Sequence, residues 1–169
     1  MKIEKIELRH TKMELVSPFT TSMGTEYDEE HIMVRVDAGG ITGWGESVAE
    51  GTPFYSYETV QTAWHILQDF LIPSILGKEI TTIDEAISLY SKVRGHMMAK
   101  AGLEAALWDL FAKSKNISLS KMMGGTRNKI DVGVSIGIQS SVPKQKKKIE
   151  GYLAEGYKRI KIKIAPGND

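Results

Sequence analysis

Residues 158–164 alternate isoleucine with a cation, from Lys158-Arg159 through Ile160-Lys161-Ile162-Lys163 to Ile164. That period of two is the pattern of a strand with one apolar and one polar face. Arg159, Lys161 and Lys163 share the polar face, and Lys161 and Lys163 stand about 6.6 Å apart along it. An edge strand gains little from stacked cations. Inside a parallel barrel, the same crowding favours loss of one proton and prepares a general base. The alternative is a strand whose lysines are simply solvated.

The segment before this strand limits the topology. Residues 130–138 read as a strand, a helix is expected from about Pro143 to Glu155, and Gly156 sits where that helix should stop. Strand, helix, strand at this length is a β-α-β unit, and its two strands must be parallel.

Upstream of Gly124-Gly125 the pattern differs. Residues 2–15 predict a strand with one bend. Residues 17–24, with Pro18, Phe19 and Thr20, read as a polar loop. Residues 31–37 and 41–48 read as two strands joined by Ala38-Gly39-Gly40, which predicts an antiparallel meander. A helix is expected from Glu58 to Leu71, ended by Pro73. Another should open at Thr82 as N-cap and run to about Arg94. Residues 97–114 form the strongest helical pattern, apolar around most of the circumference. Ala99, Ala101, Gly102, Ala105 and Ala106 would permit close backbone approach.

Composition excludes several classes. Hydrophobic residues make up 41% and charged residues 25% of the 169, as in a globular protein. Lys plus Arg is 22 against 21 for Asp plus Glu, so no basic excess marks a nucleic-acid partner. No apolar run reaches a membrane span, and the first residues lack a signal-peptide block. There is no cysteine, which excludes disulfides and thiolate metal sites and fits a cytoplasmic protein. His10, His31, His65 and His96 are scattered without ligand spacing. Trp44, Trp64 and Trp108 read as packing residues. Residues 43–45 lie within a hairpin and are no phosphate loop.

Several segments in order carry a family resemblance: Gly43-Trp44-Gly45-Glu46, the run from Lys100 to Leu110, Gly124-Gly125, the run from Val132 to Gly137, and Lys161-Ile162-Lys163. Together they resemble the enolase superfamily in its muconate-lactonizing subgroup, and within it the o-succinylbenzoate synthases and their N-acylamino acid racemase relatives. The resemblance covers the chain and about the first half of a family member.

It implies an α+β capping domain over residues 1–125. Residues 126–169 would be the first β-α-β part of a (β/α) TIM-type barrel, enolase-like and truncated. Active sites of such barrels lie at the C-terminal ends of the strands. By resemblance, Lys163 is the acid/base residue and Lys161 its companion cation, while Arg159 is expected in a structural ion pair. Ser135 either contacts substrate or fills a narrow barrel. Phe19, Thr20, Phe54 and Tyr55 fall on two substrate-facing loops, or belong to the core. Glu46 and Glu104 are not metal ligands. The implied reaction is proton abstraction α to a carboxylate, then dehydration, as in menaquinone biosynthesis. Racemisation of N-acylamino acids, N-succinyl ones in particular, is the runner-up. Mg²⁺ is implied, with ligands expected beyond residue 169, so the 169 residues alone are expected to be inactive. The expected partner is a small carboxylate, with no nucleic acid or membrane, and self-association is plausible. A non-catalytic binding or assembly module is the alternative of another class.

Overall fold

The computed structural model describes residues 1–167. They form two compact units: Met1–Lys12 with Glu30–Thr126, and Met13–Glu29 with Arg127 onward. Each is taken by itself.

The first unit is an antiparallel sheet packed with helices. Strands β1 (Lys5–Thr21), β2 (Gly24–Ala38) and β3 (Ile41–Ser47) lie in that order, and the distal parts of β1 and β2 belong to the second unit. The Gly39-Gly40 turn, with both φ angles positive, brings β3 back on β2 in the register Arg35↔Trp44 and Val36↔Gly43. Alternation along β2 buries Ile32, Val34, Val36 and Ala38. The meander expected from sequence is present, but residues 17–24 are not a loop. Both strands run on through them, turning only at Ser22-Met23. Pro18 is tolerated because β1 is an edge strand, where a missing N–H costs no ladder bond.

Helix α1 (Val60–Ile66) opens at Thr59, whose side chain and that of Thr62 cap each other's backbone N–H. Pro73 does not end the helix as expected. A π-turn at Leu67–Leu71 lets Ile72 N–H reach the Leu67 carbonyl, and α2 (Ile72–Ile75) carries Pro73 in its first turn, where no donor is needed. Helix α3 (Ile83–Leu89) has the Thr82 cap, donated to by Glu85 N–H, but stops before Arg94. Thr81 N–H and hydroxyl both donate to the Glu85 carboxylate and hold it below its ordinary range.

Helix α4 (Met97–Ser114) organises the core with Leu103, Ala106, Leu107 and Leu110, all fully buried. Burying each leucine contributes roughly 1.5–3 kcal/mol. Its contact with β3 is backbone on backbone. A Cβ on Gly43 would stand 2.1 Å from the Ala106 carbonyl oxygen, and one on Gly45 2.2 Å from that of Gly102. Gly102, Ala105 and Ala106 lie at this contact, with Ala105 Cβ 3.1 Å from a Cβ placed on Gly45, while Ala99 is buried and Ala101 exposed. Polar groups on α4 also serve β3: Trp44 N–H donates to Asp109 Oδ2, and Lys113 Nζ donates to the Thr42 carbonyl. Edge groups of the sheet are thereby satisfied. A short helix, α5 (Leu119–Met122), follows.

The second unit contains the parallel pair β4 (Gly133–Ile136) and β5 (Arg159–Ile162), joined by α6 (Val142–Ala154). Ser141 caps α6 and Gly156, at φ +96°, follows its end. The β-α-β reading of the sequence is therefore present, with both strands shorter than their patterns. Among the described residues no barrel closes.

Candidate functional site

The register Gly133↔Arg159, Ser135↔Lys161 and Ile136↔Ile162 fixes which side chains share a face. Paired residues of parallel strands point the same way, so Ser135 and Lys161 are neighbours on one face. Ile136 is buried on the other. Lys161 is exposed. Among the described residues Arg159 has no acidic partner; it lies along Gly133, where a Cβ would meet Arg159 Nε at 2.8 Å.

Lys163 stands one step past the ladder. Its N–H donates to the Ile136 carbonyl at 3.0 Å, which extends the pairing of β5 with β4. Its side chain is half-buried, with Nζ 5.7 Å from the centroid of the Phe19 ring. Phe19 comes from the tip of the β1–β2 hairpin, and the tip is seated on the end of β4. Ile138 N–H donates to the Thr20 carbonyl at 2.8 Å. Across the hairpin, the hydroxyls of Thr20 and Thr25 lie 2.9 Å apart. A Cβ on Gly137 would stand 2.9 Å from Thr20 N and 3.3 Å from Phe19 Cδ2, so the approach exists because residue 137 has no side chain.

The structure thus brings together Lys163, Phe19 and Thr20, and separately Ser135 and Lys161. Phe54 and Tyr55 belong to the first unit, where they are 71% and 75% exposed on the loop 51–57. The base of that loop is closed by the Glu50↔Thr59 bridge. Glu58, beside it, is 2% exposed, and its carboxylate accepts from Met98 N–H at 2.9 Å and Ala99 N–H at 3.1 Å. Sequence reasoning missed Gly137 and Glu58. An isolated glycine in a strand pattern was a signal for the first; the second was hidden because its partners lie forty residues away.

A cleft of about 360 Å³ at the end of β5 is bordered by Ile138, Gln139, Gln145, Ile162 and Lys163. A cleft of about 400 Å³, lined by Ile130, Asp131, Glu155 and Tyr157, lies at the N-terminal ends of the same strands, opposite the end where such units do chemistry. Two of the histidines are engaged elsewhere: His10 with Glu30 and His65 with Asp69. The guanidiniums of Arg9 and Arg35 lie 5.7 and 5.8 Å from the centroid of the Trp44 ring. Among the described residues no group of three or more His, Asp or Glu could hold a metal ion. The strand ends offer lysine, serine and apolar side chains, so these residues do not fit a divalent cation site. Among the described residues no helix is long and apolar enough to cross a membrane.

An α+β domain followed by a parallel β-α-β with lysines at its strand end defines the enolase-type class. Residues 3–124 match the mandelate racemase / muconate lactonizing enzyme N-terminal domain, and the chain belongs to that family within the enolase superfamily. It is 49% identical to an o-succinylbenzoate synthase of Geobacillus kaustophilus, over 100% of this chain and 45% of that protein. It is 40% identical to an N-succinylamino acid racemase of an Amycolatopsis species, over 100% and 46%. An enolase-superfamily structure from Listeria innocua superposes with a TM-score of 0.92 at 38% identity, covering 100% of this chain and 46% of that one. The chain therefore spans about half the length of the relatives it matches.

Proposed function

We propose that these residues are the N-terminal part of an o-succinylbenzoate synthase, with residues 1–125 as its capping domain and 126–169 as the start of its barrel. The observation that carries the reading is Lys163, half-buried at the C-terminal end of β5 beside Phe19, with Lys161 two residues before it. Support also comes from synthases of that name at 49% and 51% identity over the whole chain.

In this reading Lys163 Nζ takes the proton α to the substrate carboxylate. Lys161 supplies positive charge to that carboxylate. The substrate, a 2-succinyl-6-hydroxy-cyclohexadiene carboxylate, then loses its 6-hydroxyl, which takes the proton back from the Lys163 ammonium and leaves as water, giving the aromatic product. Ser135 and Thr20 supply hydroxyls, and Phe19 supplies apolar surface that excludes water. Enolase-superfamily enzymes use a divalent cation, and the part assigned here to this chain is limited to base, charge and cover. The whole protein would be a cytoplasmic enzyme acting on a small carboxylate.

N-Succinylamino acid racemisation is the second reading, favoured by the 40% identity to the Amycolatopsis racemase. The same lysine would take the α-proton, and a group on the other face would return it. The test assays the whole protein with Mg²⁺ on both substrates, following aromatic absorbance and optical rotation. The synthase reading expects aromatic product formation that falls by about a thousandfold in Lys163→Ala. Racemisation without dehydration would select the second reading. Absence of both would end the enzyme reading and leave a binding or assembly module.

A further inference from the structure

The contact between Phe19 and Lys163 has a structural cause that bears on the chemistry. Phe19 is not held by its own strand neighbours alone. The hairpin tip is fixed to β4 by the Ile138 N–H to Thr20 carbonyl bond, and that bond forms only because residue 137 lacks a Cβ. Any side chain there would press on Thr20 N at 2.9 Å, Thr20 O at 3.0 Å and the Phe19 ring at 3.3 Å. These neighbours include backbone, which cannot rotate away as a flexible side chain can.

Lys163 is placed by a second, separate bond, its N–H to the Ile136 carbonyl. Two consecutive hydrogen bonds at the end of β4, at Ile136 and Ile138, therefore hold the lysine and the aromatic ring on either side of Gly137. The ring face attracts an ammonium within about 6 Å, and Nζ lies at 5.7 Å.

We propose that Gly137 and Phe19 are positioning residues for Lys163: the glycine seats the hairpin tip, and the seated ring restrains the lysine side chain at the strand end. This rests on the proton-abstraction reading and refines the role of Phe19. A residue that only contacts substrate changes KM with substrate identity. A residue that aims the base changes kcat for every substrate alike.

Two measurements test it. In the chain labelled with ¹³C-lysine, the Lys163 ε-methylene resonance, assigned by its loss in Lys163→Arg, should lie upfield of the other lysines because of the ring. Phe19→Leu, which keeps apolar bulk, should return it to the common position, and Gly137→Ala should do the same if it folds. In the whole protein, Phe19→Leu should lower kcat by about ten- to a hundredfold, as for a base misplaced by an ångström, with KM within about twofold for both substrates. An unshifted Lys163 resonance in the wild type would overturn the proposal, as would a Phe19→Leu effect confined to KM or an unchanged kcat. If the wild-type protein turns over neither substrate, the enzyme reading falls, while the resonance still decides whether the seat exists.

Discussion

Among the described residues, Glu58 is the one side chain bonded to the first amides of α4, and replacing it with alanine removes that bond. The carboxylate accepts from Met98 N–H and Ala99 N–H at 2.9 and 3.1 Å, and Ala99 is fully buried. N-terminal amides of a helix have no intrahelical acceptor, and His96, at the N-cap position, has φ +52° and offers no side-chain bond. Alanine at 58 therefore leaves two donors unpaired where water has poor access. Each costs about 1–3 kcal/mol, and loss of negative charge at the helix N-terminus adds to it, giving about 3–5 kcal/mol in all. Glu58→Gln keeps one oxygen and turns its amide towards the other donor, so about half the loss is expected. Urea unfolding followed by helical circular dichroism reads this directly. At a slope of about 1–3 kcal/mol per molar urea, Glu58→Ala should lower the midpoint by at least about 1 M. An unchanged midpoint would show that these amides find other acceptors and would refute the reasoning.

Gly45→Ala should be worse than an ordinary core change. Its Cβ would meet a backbone carbonyl at 2.2 Å, so α4 must move off β3, at a cost of at least about 3 kcal/mol by urea melting. Leu107→Ala, fully buried on the same helix, should cost about 2–5 kcal/mol in the same assay. Burial, and then the Glu104 charge, push the Tyr90 hydroxyl up to about 12. The unfolded chain loses that proton near 10, so this contribution is complete below pH 10 and is lost as pH rises towards 12. Urea melts across that window should fall more steeply for wild type than for Tyr90→Phe, which also removes a buried hydroxyl with no partner.

The sequence spoke clearly where one physical constraint dominated. The small residues of α4 forecast a close backbone approach, because glycine and alanine let backbones meet; that the partner is β3, through Gly43 and Gly45, came from the structure. The β-α-β unit was legible from Pro143, Gly156 and the alternating cations. The hairpin tip was not. Its residues are polar and mostly exposed, so no burial pattern distinguishes strand from loop, and Pro18 argues locally against a strand. Its seat on β4 depends on Gly137, more than a hundred residues away. Pro73 misled for a related reason: the π-turn that accommodates it leaves no mark in the hydrophobic period. At the site, the lysine pair was visible by alternation, but the ring beside Lys163 was set by tertiary contact.

The central claim is that Lys163 removes a proton from carbon. Aromatic product formation by the whole protein with Mg²⁺, from substrate carrying hydrogen or deuterium α to its carboxylate, reports on this step. The account predicts slower turnover of the deuterated substrate by the wild-type protein, and a rate about a thousandfold lower in Lys163→Ala. Turnover at the wild-type rate in that variant would contradict it.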